Sequence, residues 1–463
     1  MFVARKNELK TLNKFYNRDS LDLIALYGRR RVGKTELLKE FTKDKNHLFF
    51  SAEETTERLN LEKLSELYGN KINTGIGLIN SWEVIFSYLI KLSHKERLII
   101  VIDEFPYLSS NNPGFLSKFQ HIIDHMLMNT NIMIILCGSS ISFMENEVLS
   151  EKSPLFGRLT GQMFIKPFDY YDASKMLENY SYINKLEAYF LVGGIPQYLK
   201  KLETNKSIKD NILEKMLDTS EELFNAPANL IRQELRSPAI YNAILEAVSN
   251  GYTKSNEINT KIGVVPNTGQ NYINTLINIH LLNKKTPTGG QSRRKTVYSV
   301  SDALFDFIYR FAYRYKSLLD TNLEAEVYEN YIEGKLASHF GKRFEIACTE
   351  YVNRLNGQAY FPEFLLETGS WWGGNPLTKV EEEIDIVGLG ENFGLYCECK
   401  YQKEPLSKSV LDELIRKSLL IPKAHMHYYL FSKSGFKENL IDYAKDKDYI
   451  RLITIDDLYL DIK

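Results

Sequence analysis

Apolar residues gather in two ways along the chain. Unbroken runs at 23–27, 98–102 and 132–137 have the length and purity of strands buried on both faces, which is how parallel strands read. Between them the apolar positions return at helical spacing, as with Leu9, Leu12 and Phe15 in the stretch 2–15. A short strand follows at 47–50, then a polar helical region to about Tyr88. The spacing predicts amphipathic helices from 200 to 235. Then the character changes. Ile240, Ile244, Leu245 and Val248 predict one helix, 254–262 a second and 271–282 a third; 283–298 reads as a hairpin with a glycine tip. Phe305, Phe307, Ile308, Phe311, Ala312 and Tyr315 form an aromatic helix, and the polar stretch 320–334 is the expected boundary. Beyond it the order is helix 336–355, short strand 358–361, strands 379–389 and 394–401, helix 407–420, strand 427–431, helix, strand 450–455.

At 463 residues the chain has room for two to four domains. Its 44% hydrophobic and 25% charged content is that of globular proteins, so composition makes no case for disorder. Fifty-eight basic against 59 acidic residues leave a net charge of -1, so any nucleic-acid binding must come from local patches. Four cysteines (Cys137, Cys348, Cys397, Cys399) in apolar context suit neither a disulfide framework nor a zinc site. The start of the chain has no apolar signal core, and no run reaches membrane-spanning length. A cytoplasmic protein without membrane contact is expected.

The first apolar run leads into Gly28-Arg29-Arg30-Arg31-Val32-Gly33-Lys34-Thr35, which fits G-x-x-x-x-G-K-[ST] with a strand before and a helix after. Glycines at these positions let backbone N–H groups turn inward on phosphates, and the next helix presents its positive end. Lys34 then reaches the β- and γ-phosphates of ATP, Thr35 ligates Mg²⁺, and the segment through Glu36 forms the nucleotide site. The second run ends in Asp103-Glu104. Asp103 is expected to hold Mg²⁺ through water, and Glu104 to orient and deprotonate the attacking water. The third ends in Cys137-Gly138-Ser139-Ser140, where Ser139 or Ser140 either senses the γ-phosphate or merely makes a turn.

Near the C-terminal end, alternation places Tyr396, Glu398 and Lys400 on one strand face and Leu395, Cys397 and Cys399 on the other. The cysteines are expected in the core. Glu383, Asp385 and Val387 share a face of the preceding strand, so a hairpin between Gly388 and Phe393 sets Asp385 opposite Glu398. Two carboxylates with a lysine suit metal-dependent phosphodiester cleavage, the carboxylates gathering Mg²⁺ and the lysine steadying developing charge.

Phe2, Arg5, Glu8 and Leu9 resemble the box that opens many AAA+ ATPases. Together with the P-loop, Asp103-Glu104, the segment 153–161, Lys166-Pro167-Phe168 and Gly193-Gly194-Ile195-Pro196, they make the chain resemble the archaeal-type ATPases of the STAND branch of AAA+ proteins. The resemblance implies an arginine finger at Arg158, the bland alternative being a surface ion pair, and a nucleotide contact at Pro196. Three helices and a basic hairpin look like a winged helix, whose Lys284, Lys285, Arg293, Arg294 and Lys295 either track DNA phosphates or belong to a rigid spacer. The order αβββαβ, with Asp385 and Glu398-Cys399-Lys400, resembles the PD-(D/E)XK nucleases. Glu345 then stands where some of them have an extra metal ligand, Ile384 replaces the motif's proline, and Trp371-Trp372-Gly373 matches a stretch of the same ATPase family. The implied architecture is α/β multidomain: a P-loop AAA+ core (1–165), helical lid (166–235), winged helix (236–318) and restriction-endonuclease-like domain (319–463). The implied function is an ATP-hydrolysing switch acting on DNA in prokaryotic defence or mobile-element handling. A signalling or scaffolding ATPase whose C-terminal domain binds nucleic acid or a protein partner without cutting is the competing expectation; a homo-oligomer or a protein partner is left open.

Overall fold

The computed structural model describes residues 2–75, 79–110, 112, 114–290 and 295–460. It divides into two compact units, residues 1–167 with 195–197, and residues 168–194 with 198–463. Among the described residues no helix is long and apolar enough to cross a membrane.

The first unit is built on five parallel strands: β1 (Asp22–Tyr27), β2 (His47–Ser51), β3 (Ile99–Asp103), β4 (Met133–Gly138) and β5 (Gly161–Phe164). Their order is β2-β3-β4-β1-β5. β3 and β4 are buried along their whole length because helices cover both faces, which accounts for their unbroken apolar sequence. β5 escapes the sequence pattern: it is a half-exposed edge. It is tied in by Thr160, whose N–H donates to Leu23 O at 2.8 Å and whose hydroxyl accepts from Leu23 N at 3.0 Å. Two helices position the nucleotide motif, α1 (Lys6–Tyr16) and α2 (Lys34–Thr42). On α2, Lys34, Leu37, Leu38 and Phe41 form the buried stripe that seats its first turn against the sheet.

In the second unit, helices Pro238–Ser249, Ser255–Ile262 and Pro266–Asn278 precede an antiparallel pair, β6 (Leu282–Lys285) and β7 (Val297–Val300). Tyr241, Ile244, Leu245, Ile258, Ile273, Leu276, Tyr298 and Val300 pack into one core among them. The aromatic helical stretch follows, with Phe307 and Phe311 edge-on to His339 of helix Glu333–Gly357. Helical structure runs through most of the stretch expected as a boundary, from Glu324 onward, since Val327, Tyr328 and Ile332 bury at helical spacing.

The C-terminal sheet is mixed, in the order β12-β11-β10-β9-β8. β8 (Glu367–Gly374), β9 (Glu381–Leu389) and β10 (Phe393–Lys400) run antiparallel; β11 (His425–Ser432) and β12 (Ile450–Thr454) continue parallel to β10. This corrects one expectation: 358–361 is a turn, and the first strand is β8, which contains the Trp371-Trp372-Gly373 stretch. Only Trp371 and Gly373 are buried there, and a register shift between Gly369 and Trp371 breaks the alternation by which a strand is read. Helix Glu333–Gly357 lies on this sheet; its Phe340 and Phe344 meet Tyr401 and Phe190 of helix Tyr182–Val192.

Candidate functional site: a P-loop and a carboxylate–lysine cluster

The carboxyl ends of β1, β3 and β4 bring the P-loop, Asp103-Glu104 and Ser139 together, the edge at which open parallel sheets bind ligands. Gly33, at φ 93°, takes the left-handed conformation that suits glycine, and Arg31 at 71° takes it despite its side chain. The Lys34 ammonium donates to Gly28 O at 2.8 Å and Arg29 O at 3.0 Å, closing the loop over itself. Burial lowers the Lys34 pKa from its ordinary value, while Cys137, Glu104 and Asp103 pull it back up. Thr35 donates its hydroxyl to Asp103 Oδ2 at 2.9 Å, and Asp103 Oδ1 accepts from Glu104 N at 3.1 Å. Ser139 donates to Glu104 Oε2 at 2.7 Å, and Glu104 itself sits at φ 51°. Strain at such a residue is a common mark of functional sites.

A Cβ built on Gly33 would meet Pro196 Cγ at 3.8 Å, so the Gly-Gly-Ile-Pro turn brings Pro196 to the P-loop. Arg29 and Val32 are buried, Arg30 half-buried, and Glu36 points outward beside Lys39 at 3.6 Å. Arg5 holds the loop: its Nη2 donates to Val32 O at 3.0 Å, and its Nη1 pairs with Glu8 at 2.9 Å, a role the box alone does not signal. The donors fit Mg²⁺ with a nucleotide, since a hydroxyl and a carboxylate already face each other beside a buried lysine that can turn to phosphate. Arg158 lies in a bidentate pair with Asp124, Nε to Oδ1 at 2.7 Å and Nη2 to Oδ2 at 2.8 Å, and its Nη1 donates to Pro154 O and Phe156 O.

The second cluster lies where β9 and β10 separate. Their ladder ends at Ile386 opposite Cys397, and one step further Asp385 Oδ2 accepts from Cys399 N at 2.8 Å. Lys400 Nζ stands 2.5 Å from Glu398 Oε1 and 3.6 Å from Asp385 Oδ2. Burial raises the pKa of both carboxyls, and Lys400 pulls both back down. For Lys400, burial disfavours the ammonium, yet Asp385 and Glu398 outweigh it and hold its pKa above the ordinary value. Glu398 Oε2 is buried with no hydrogen-bond partner, Lys417 Nζ being 3.9 Å away. An orphaned carboxylate oxygen fits a divalent cation. Among the described residues no three Asp, Glu, His or Cys side chains gather as a metal cluster, so, contrary to expectation, Glu345 does not complete a three-carboxylate set with Asp385 and Glu398. Glu345 is near enough to feel them: burial, then Asp385 and Glu383, raise its pKa to about 8.

Lys285, expected on the wing, is half-buried and within electrostatic reach of Glu345 and Glu383. Burial lowers its pKa while Glu345 and Glu383 raise it. The hairpin tip docks on the C-terminal sheet: Thr288 N donates to Ser370 O at 3.0 Å and Gly289 N to Glu367 Oε2 at 3.1 Å. Lys284 is exposed and Lys295 half-buried; Arg293 and Arg294 lie outside the described residues. Sequence reading missed Lys417, though Leu414 three positions before it marks the buried face of helix Lys408–Ser418. It missed Asp124 too, for no local signal links it to Arg158. All four cysteines are buried.

The family described as an ATPase domain predominantly from Archaea matches residues 2–202, and a family of archaeal and bacterial proteins of unknown function matches residues 308–413. An uncharacterized protein of Methanocaldococcus jannaschii is 32% identical over 435 residues, 91% of this chain and 92% of its own length. An uncharacterized ATP-binding protein of the same organism is 56% identical over 45 residues, 10% of this chain and 76% of its own. Among solved structures, the Walker-type ATPase of Pyrococcus abyssi is similar with a TM-score of 0.52 and 22% identity, covering 67% of this chain and 96% of that one. A parallel-sheet P-loop core, its motif residues at the strand ends and this relative aligned along nearly all of its length lead to one conclusion: the chain belongs to the archaeal-type P-loop ATPases, with a C-terminal domain of a family whose function is not known.

Proposed function

We propose that the chain is a STAND-type AAA+ switch whose ATP cycle controls a C-terminal, metal-dependent DNA nuclease. In this reading 1–165 is the ATPase core, 166–235 the lid, 236–318 a winged helix and 319–463 a PD-(D/E)XK-like domain. The observation that carries the reading is the run of contacts Thr35, Asp103, Glu104, Ser139 beside Lys34 at the strand ends. Lys34 gives up the carbonyls of Gly28 and Arg29 for β- and γ-phosphate oxygens. Thr35, and Asp103 through water, would hold Mg²⁺, which would supply charge neutralisation on the phosphates. Glu104, released from Ser139, takes the proton of the attacking water, and Ser139 turns to the terminal phosphate. Pro196 reports on the loop it touches, and through the 193–198 turn the nucleotide state passes along the chain. Arg158 reaches a phosphate, its own or a second copy's, only after its pair with Asp124 opens.

The test is ATP turnover with Mg²⁺. Lys34→Ala is expected to lose ATP binding; Glu104→Gln is expected to bind ATP and lose at least about a hundredfold in turnover. Turnover at the wild-type rate in Glu104→Gln would remove that residue from its role.

For the nuclease, Asp385 and Glu398 would hold the cation, which would neutralise charge on the scissile phosphate, and Lys400 steadies the charge that builds there. Lys284, Lys295, Arg293 and Arg294 are the basic groups for the DNA backbone. A specific observation favours a second reading, binding of nucleic acid or a protein partner without cutting: Lys400 already fills the space between the two carboxylates.

A further inference from the structure

Within the second unit, the end of helix Pro238–Ser249, the aromatic stretch and the first turns of helix Glu333–Gly357 enclose a cavity of about 320 Å³. That is at the lower end of pockets that hold small ligands, roughly 300–1,000 Å³. Three cations, Arg310, Arg314 and Lys335, line it, and no carboxylate does. The helix end at Ser249 offers them only roughly half a negative charge. Outside the lining, Asp306 divides its charge between Arg343, its stronger partner, and Arg310. Asp306 is hydrogen-bonded to Arg343 at 2.8 Å, and burial drives the His339 pKa down to about 3, leaving the imidazole uncharged.

Two polar atoms of the lining residues are buried with no hydrogen-bond partner, Arg310 Nε and Ser249 Oγ. Both atoms present almost no accessible surface, so what the cavity offers a ligand is the charge of Arg310, Arg314 and Lys335. One side of the cavity carries Tyr315 and Tyr331, stacked at 4.4 Å and 16° between planes. A lining with three cations and no acid, beside an aromatic wall, suits an anion of modest size with an apolar or ring-bearing body.

We propose that this cavity binds a phosphate group carried by a small molecule, the phosphate on Arg310, Arg314 and Lys335, and the rest of the molecule against Tyr315 and Tyr331. The site is separate in sequence from the P-loop and makes the protein responsive to a second ligand besides ATP.

The experiment is titration calorimetry on the full chain carrying Lys34→Ala, which weakens phosphate binding at the P-loop, with AMP, inorganic phosphate and adenosine as probes. Saturable binding of AMP or phosphate, but not adenosine, is expected, with affinity falling at least tenfold in Arg314→Gln and in Lys335→Gln. Both side chains are exposed, so both variants are expected to melt like the parent, whereas Arg310→Gln also disturbs a buried atom. AMP bound more tightly than phosphate identifies a ring-bearing ligand; equal affinity identifies phosphate alone. Binding unchanged in the variants, or no binding of either probe at millimolar concentration, overturns the assignment, as does binding of duplex DNA alone through these residues.

Discussion

Glu350 is a buried carboxyl with a measurable consequence for stability. Its Oε1 accepts from the Tyr189 hydroxyl at 2.8 Å and its Oε2 from Tyr170 N at 3.1 Å. Burial nevertheless raises its pKa from 4.5 to about 8. The folded state therefore holds a proton that the unfolded chain has released throughout the interval between those values. For an acid whose folded pKa is raised, stability is greatest below the unfolded pKa and is lost as pH rises through the folded one. One proton gives a slope of about 1.4 kcal/mol per pH unit, so about 2.5 kcal/mol disappears between roughly pH 5.5 and 7.5. Glu350→Gln cannot ionise and keeps both contacts: the amide oxygen accepts from Tyr170 N, and the amide N–H donates to a Tyr189 hydroxyl turned to accept. The variant is expected to match wild type near pH 5 and to gain on it steadily above. Opening free energies from hydrogen exchange in peptides of helix Glu333–Gly357, taken at several pH values, measure the difference. A wild-type-to-variant difference that stays constant with pH would refute the reasoning.

Two further outcomes follow from packing and pairing. Gly289→Val is expected to undock the hairpin tip, because Gly289 sits at φ 87° and its Cβ would come within 2.6 Å of Ile421 Cδ1; loss of exchange protection at β8 checks it. Arg158→Ala is expected to cost at most about 1 kcal/mol, since its pair with Asp124 is partly exposed, and to leave ATP affinity within about twofold; melting and nucleotide titration read the two effects separately.

What could be read from the sequence follows from what is local. β3 and β4 declare themselves because both faces are buried, and Gly28 to Thr35 because phosphate binding needs that spacing. The Asp385 and Glu398 pairing is readable because a tight hairpin and period-two alternation set the register. β5 and β8 are half-exposed and give no such signal. The Arg158 and Asp124 pair spans 34 residues, and the influence of Glu345 on Lys285 depends on where a hairpin docks. Neither is encoded within any short window of sequence.

The most direct test of the coupled-switch account is DNA cleavage with Mg²⁺ or Mn²⁺, with and without ATP, by wild type, Lys400→Ala and Lys34→Ala. The account predicts metal-dependent cutting that Lys400→Ala abolishes while ATP turnover persists, and that Lys34→Ala no longer lets ATP control. ATP turnover without cutting under any metal or nucleotide state would contradict it and leave a switch that binds without cleaving.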